Sequence, residues 1–219
     1  MKKIDNYLRY LYLKEDEGGS EEEEKVIIDP RLKGTQTEKN LASAFSGESQ
    51  VRNKYTYFAS QAKKDGYEQI AGIFEETANH EREHAKRFYS YLSSDQIYIN
   101  DEMPIDKIGT TLENLESAAK GEHYEYSTKY LEFANIAEKE GFSEIATLFR
   151  EVSVAERFHE RRYLALAANI SNNRVFKRDK PVSWKCRNCG YTYYGNEAPS
   201  PCPSCKHPQG FYEVMEENY

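Results

Sequence analysis

The chain has 219 residues, with 30 Lys and Arg against 37 Asp and Glu and a formal net charge of −7. That acidity argues against a nucleic-acid surface, and no apolar run reaches the length of a bilayer span. Asp5, Asn6 and Arg9 follow Lys2 and Lys3 too closely for an apolar leader, so no secretory signal is expected.

Residues 1–36 are predicted to form a flexible acidic arm. Leu8, Leu11 and Leu13 make a short apolar patch with Tyr7, Tyr10 and Tyr12. The run from Glu15 to Glu24 is rich in like charges and glycine, which resist compaction.

A helical period begins at Thr37, with Leu41, Phe45, Val51, Tyr55, Phe58 and Ala62 on one stripe, and Asp65-Gly66 ends it. A second helix is predicted from Tyr67 to Leu92, carrying Ile70, Ile73, Phe74, Ala78, Ala85 and Phe88 on one side. Ser93 to Lys107 lacks the period and reads as a long crossover. The third helix is predicted from Thr110 or Thr111 to Gly141, and the fourth from Phe142 to Ile170.

The two hairpins repeat each other at an offset of 74 or 75 residues. Asp65-Gly66-Tyr67-Glu68-Gln69-Ile70-Ala71 matches Glu140-Gly141-Phe142-Ser143-Glu144-Ile145-Ala146. Four helices with one long crossover are the ferritin-like arrangement. The expected fold class is therefore mainly α: a ferritin-like four-helix bundle over 37–171, a polar linker over 172–183 and a small metal-binding β domain over 184–219.

The repeat also duplicates a ligand phrase. Glu81-Arg82-Glu83-His84 and Glu156-Arg157-Phe158-His159 both read E-x-x-H, and each follows a lone upstream glutamate, Glu48 or Glu122. Residues three apart share a helix face, so Glu81 and His84, Glu156 and His159, and Glu122 and Glu125 point together. A solvated charged face explains most of the acidic residues. It does not explain these, because they interrupt the apolar stripes. Glu, E-x-x-H, Glu, E-x-x-H on four helices is the ligand set of a di-iron carboxylate centre.

Charge supports that reading. Glu48, Glu81, Glu122, Glu125 and Glu156 carry about −5 when ionised, and two ferrous ions leave about −1. Two ferric ions with a bridging oxide return to about −1. Tyr55 and Tyr130 occupy equivalent places in the halves and can offer a phenol to the site. His80, four residues before His84, could stand behind the ligands, but a surface place is the expectation; His123 points away from Glu122.

Cys186-Arg187-Asn188-Cys189-Gly190 and Cys202-Pro203-Ser204-Cys205 form two knuckles, enough for one tetrahedral all-sulfur site for iron or zinc. Tight pairs without a leader favour metal binding in a reducing cytoplasm over disulfides. Trp184, Tyr191, Tyr193, Phe211 and Tyr212 supply a small aromatic core.

From about Lys33 to the C-terminus the chain resembles the rubrerythrin family. The phrases that carry the resemblance include Thr37-Glu38-Lys39-Asn40, Gly47-Glu48-Ser49-Gln50, Gly121-Glu122-His123-Tyr124-Glu125-Tyr126 and Trp184-Lys185-Cys186-Arg187-Asn188-Cys189-Gly190-Tyr191, together with both E-x-x-H segments. The resemblance implies a cytoplasmic non-haem di-iron peroxidase in oxidative-stress defence. It would reduce hydrogen peroxide to water. Electrons would come from an NAD(P)H-dependent reductase or rubredoxin, relayed through a rubredoxin-like iron centre on Cys186, Cys189, Cys202 and Cys205. It implies an oxo- and carboxylate-bridged di-iron pair on Glu48, Glu81, Glu122, Glu125, Glu156 and His159, with His84 replacing Glu125 on one iron in the reduced state. It places Tyr55 and Tyr130 beside that pair, and it implies a head-to-tail homodimer. The arm lies outside the family pattern, and Lys206 stands where simple rubredoxins have glycine. Two rival readings stay open: a ferroxidase, and a non-enzymatic redox or metal-binding module with a structural zinc ribbon.

Overall fold

The computed structural model describes residues 29–99 and 104–218. The expected acidic arm lies outside the described residues as far as residue 28, as do residues 100–103 of the crossover. Helices α1 (Gln36–Lys64) and α2 (Glu68–Tyr89) form one hairpin. Helices α3 (Thr111–Tyr124) and α4 (Tyr130–Glu140), joined by a π-helical turn over Glu125–Lys129, make the third rod, and α5 (Ser143–Ser171) the fourth.

Local chemistry sets the rod ends twice over. Gly66 and Gly141 sit at φ +83 and +85, a left-handed conformation that glycine adopts without strain. The amides of Tyr67 and Phe142 then reach back to Ala62 O and Ala137 O, both at 2.8 Å. The halves also cap each other. Asp65 Oδ2 accepts from the amide and hydroxyl of Thr111 at 2.9 and 2.6 Å, while Glu140 Oε2 accepts from those of Thr37 at 2.8 and 2.6 Å. A carboxylate at a helix N-terminus satisfies orphan N–H groups and opposes the helix dipole.

Residues 29–36, assigned to the arm from sequence, depart from that expectation. Pro30–Leu32 form a 3-10 turn, and Leu32 is buried against the bundle. Beside it, Glu38 is buried and accepts five hydrogen bonds: from Gly34 N–H at 2.7 Å and from the amides and hydroxyls of Ser93 and Ser94 at 2.7 to 3.2 Å. One carboxylate thus ties the start of α1 to the start of the crossover.

The core is in two apolar clusters. Tyr55, Phe58, Phe74, Leu115 and Tyr163 belong to one; Leu41, Phe88, Tyr130, Phe149 and Val152 belong to the other. Along every rod the acidic ligand candidates fall between them, Glu48 between Leu41 and Tyr55 and Glu156 between Val152 and Tyr163. The fold therefore holds a polar layer between two dry ones.

The third rod departs from the single regular helix expected. The amide of Tyr130 bonds to Glu125 O, five residues back. Glu48 to Tyr55 spans seven residues, but Glu122 to Tyr130 spans eight. An extra residue in an α-helix would swing everything beyond it by about 100°. The π turn absorbs it, and Tyr130 still faces inward.

The cysteine domain is a three-stranded antiparallel sheet of order β2-β1-β3: β1 (Lys177–Cys186), β2 (Thr192–Glu197) and β3 (Tyr212–Val214). Strand β1 begins inside the segment expected to be linker. Its first half is exposed and carries no apolar alternation, and it pairs only through Lys177 with Glu197 before a register shift. Trp184 is fully buried and donates to Gly195 O at 2.9 Å. The domain meets the bundle at the α1–α2 turn. Phe176 stacks on Tyr67, and Gly210 sits so close to Gly66 that a Cβ there would fall 2.3 Å from Gly66 O.

The Glu38 hydrogen bonds hold its pKa down at about 2, against burial, from an ordinary 4.5. A depressed carboxylate contributes stability that is present above its unfolded pKa and lost as pH falls. Glu38→Ala is expected to destabilise by about 2 kcal/mol at pH 7, a fall of several degrees in Tm. The gap between wild type and variant should narrow as pH drops from 4.5 toward 2. Thermal melts over that range measure it; a constant gap would contradict the charge argument.

Candidate metal centres

Each rod brings one lone glutamate or one E-x-x-H pair into the polar layer. Two groups of four result: Glu48, Glu81, His84 and Glu156, and Glu81, Glu122, Glu156 and His159, with ligand atoms in each group lying within 4.8 Å of one another. Glu81 and Glu156 belong to both groups. A carboxylate has two oxygens, so these two can each serve two ions. His84 Nδ1 lies 2.9 Å from Glu81 Oε2 and 3.0 Å from Glu156 Oε1. His159 Nδ1 lies 2.8 Å from Glu156 Oε2 and 3.2 Å from Glu81 Oε1.

The residues fit a metal pair. Glu48 Oε2, Glu81 Oε1, Glu122 Oε2, both Glu156 oxygens and His159 Nδ1 are buried and make no well-aligned hydrogen bond. They crowd close to one another instead, and buried polar atoms without well-aligned partners are costly unless a cation takes them. The remaining oxygens are held. Tyr55 donates to Glu122 Oε1 and Tyr130 to Glu48 Oε1, so each half's phenol fixes the other half's glutamate.

Without cations, protons carry the load. Burial and the charges of Glu125, Glu156 and Glu81 push the Glu48 carboxyl well above the usual range, and burial with Glu81 does the same to Glu122. Burial disfavours charge on both histidines, yet hydrogen bonds to Glu156 and Glu81 push His84 up to about 11. Those to Glu122, Glu156 and Glu81 push His159 up to about 12.

Glu125 is the one expected ligand in neither group. It is buried, and its Oε1 lies 3.0 Å from Lys129 Nζ. His80, expected at the surface, is only partly there: its Nδ1 lies 3.1 Å from His159 Nε2. A bond to a ligand's outer nitrogen fixes that ring's tautomer and aim. Its place four residues before His84, one turn along the same face, was the available signal. Lys129 left none, because the π turn that brings it inward has no residue signature. His123 pairs with Glu160 at 2.9 Å on the surface, away from both groups.

The second centre is simpler. Cys186, Cys189, Cys202 and Cys205 converge within 4.8 Å. The Cys186–Cys205 and Cys189–Cys202 sulfur pairs are 3.8 and 3.9 Å apart. A tetrahedron with metal–sulfur bonds of about 2.3 Å has edges of about 3.8 Å. The His207 amide helps to draw the Cys205 thiol down to about 6, toward the thiolate a metal needs. Gly190 follows the first knuckle at φ +75, and Lys206 follows the second at φ +64. Both knuckles thus require the left-handed turn, and lysine adopts it at the second.

A family model described as Rubrerythrin matches residues 39–167, and one described as Rubrerythrin, rubredoxin-like domain matches residues 184–213. The chain is 51% identical over 195 residues to the rubrerythrin of Porphyromonas gingivalis, covering 89% of this chain and 98% of that one. It is 50% identical over 188 residues to the rubrerythrin of Nitratidesulfovibrio vulgaris, covering 86% and 98%. Among solved structures, fully reduced, all-ferrous nigerythrin matches with a TM-score of 0.56 at 31% identity, covering 93% of this chain and 96% of that one. No helix among the described residues is long and apolar enough to cross a membrane.

Because His84 and His159 must each lose a proton to coordinate, metal uptake is coupled to proton release. Loading two divalent ions into the metal-free bundle site at pH 7 is expected to release about two protons from these rings alone. Affinity should rise with pH. Calorimetry in buffers of different ionisation enthalpy counts the protons, and a count near zero would show that both rings are already neutral in the metal-free site at pH 7.

Proposed function

The chain is a member of the rubrerythrin family, and on that premise we propose that it reduces hydrogen peroxide to water at the Glu/His site of the bundle. Its fold and ligand set are those of a di-iron redox protein. The observation that carries the proposal is the sharing of Glu81 and Glu156 between two four-ligand groups. Glu48 and His84 would complete one iron's ligands and Glu122 and His159 the other's. Glu125 would be an alternative to His84. Two ferrous ions held by these residues would supply the two electrons that O–O cleavage needs.

The side chains divide the remaining work. Glu48, Glu81, Glu122, Glu156 and His159 are closed to solvent at 3% exposure or less, whereas His84 is 17% exposed. A small substrate would therefore enter on the His84 side. Tyr55 and Tyr130 are fully buried, and burial beside Glu122 and Glu125 respectively holds both phenols protonated far past neutral pH. They anchor Glu122 and Glu48 and keep a proton at each end of the pair. Two water molecules formed from one peroxide require two protons besides the two electrons.

The four-cysteine centre has no open coordination place, so its part would be electron relay. Electrons would reach it from an NAD(P)H-dependent reductase or rubredoxin and pass to the bundle site, across subunits in a head-to-tail homodimer. Iron there passes single electrons; zinc cannot.

Stopped-flow oxidation of the anaerobic diferrous protein tests the substrate. Peroxide is expected to react far faster than oxygen, and the reverse order would favour a ferroxidase. Cys186→Ser is expected to abolish turnover with NADH and a reductase while leaving a single oxidation by peroxide intact. Loss of that single oxidation in a folded, iron-loaded variant would contradict the division of labour.

A further inference from the structure

Glu125 lies beside the metal layer, yet its charged neighbour is an ammonium. Lys129 Nζ stands 3.0 Å from Glu125 Oε1, with the two side chains only 13% and 9% exposed. Its Nζ also lies 5.1 Å from the centre of the Tyr130 ring, whose hydroxyl donates to Glu48. A charge removed from water this far is costly unless it is paired. Two features of the chain place it there. The π turn has Glu125 at one end and Lys129 at the other. Gly47, next to Glu48 on α1, leaves the room: a Cβ there would fall 2.8 Å from Lys129 Nζ and 3.9 Å from Glu125 Oε1.

We propose that Lys129 is a positioning residue that holds Glu125 withdrawn from the metal pair and so leaves that coordination place to His84. The inference rests on the di-iron reading above. The ammonium takes one oxygen of Glu125, and at 3.0 Å with both side chains largely buried it holds that carboxylate strongly against the pull of a metal ion. The same fixed positive charge makes the more highly charged ferric pair harder to form. Lys129 therefore acts twice, on which ligand is bound and on where the pair's reduction potential lies.

Three variants of the full chain separate these effects from mere packing: Lys129→Met, Lys129→Arg and Gly47→Ala. In anaerobic redox titrations of the iron-loaded protein, Lys129→Met is expected to move the di-iron potential to a more negative value. Lys129→Arg should leave it near wild type. Gly47→Ala, which keeps the ammonium but displaces it, should shift it the same way by less. In crystals of the zinc-loaded protein, wild type should keep His84 on the metal and Glu125 on Lys129, while Lys129→Met should show Glu125 bound in place of His84. An unchanged potential with Glu125 still off the metal in Lys129→Met would overturn the proposal. So would a wild-type zinc-loaded structure, the divalent state, with Glu125 on the metal. A wild-type bundle site that takes up fewer than two irons would instead sink the di-iron reading itself.

Discussion

Buried negative charge is the constraint around which the bundle is organised. Glu48, Glu81, Glu122, Glu125 and Glu156 are all held in one layer with almost no access to water. Such a layer is unstable unless something positive or protonated shares it. The Lys129 ammonium and two phenols do so in part, and two divalent ions on these ligands would do so in full. The dry clusters above and below keep water from screening the charges. The features that look decorative elsewhere in the chain are supports for this layer: the tyrosine pair, the glycine beside Glu48, and the histidine behind His159.

Those supports come in reciprocal pairs. Tyr55 steadies Glu122 and Tyr130 steadies Glu48. Asp65 caps the rod that carries Glu122, and Glu140 caps the rod that carries Glu48. Each hairpin thus finishes the other, and neither can present its glutamate alone. Rigid ligands on rigid rods suit a centre that must cycle between charge states without the protein rearranging around it.

Much of this was legible before any coordinates. The ligand glutamates stood out because they broke apolar stripes, and the four cysteines because of their spacing. What escaped was of two kinds. Lys129 and His80 act through three-dimensional neighbours: nothing beside the lysine says that it turns inward, and the histidine's spacing from His84 hints at a supporting place without giving its target. The first half of β1 is held through the Lys177 pairing and the Asn196 side chain on the carbonyls of Arg178 and Asp179 rather than by burial, so it lacks the alternation that betrays a strand. The turn Pro30–Leu32 looked like part of an arm because one buried leucine and one buried glutamate make a faint pattern. The π turn has no residue signature of its own but left a trace in the repeat. The repeat offset changes from 74 at Glu48 and Glu122 to 75 at Tyr55 and Tyr130, and that extra residue is the turn.

The same extra residue separates the twin halves. The position in the first half that corresponds to Glu125 is Val51, an apolar side chain packed against the core. A protein assembled from two identical copies of the first hairpin would still offer two lone glutamates and two E-x-x-H phrases, but it would treat its two ions alike. With the proposed ligands, one ion would have a spare carboxylate in reserve and its neighbour none. If the halves descend from a common ancestor, they have since come to differ here by one residue in length and one acid.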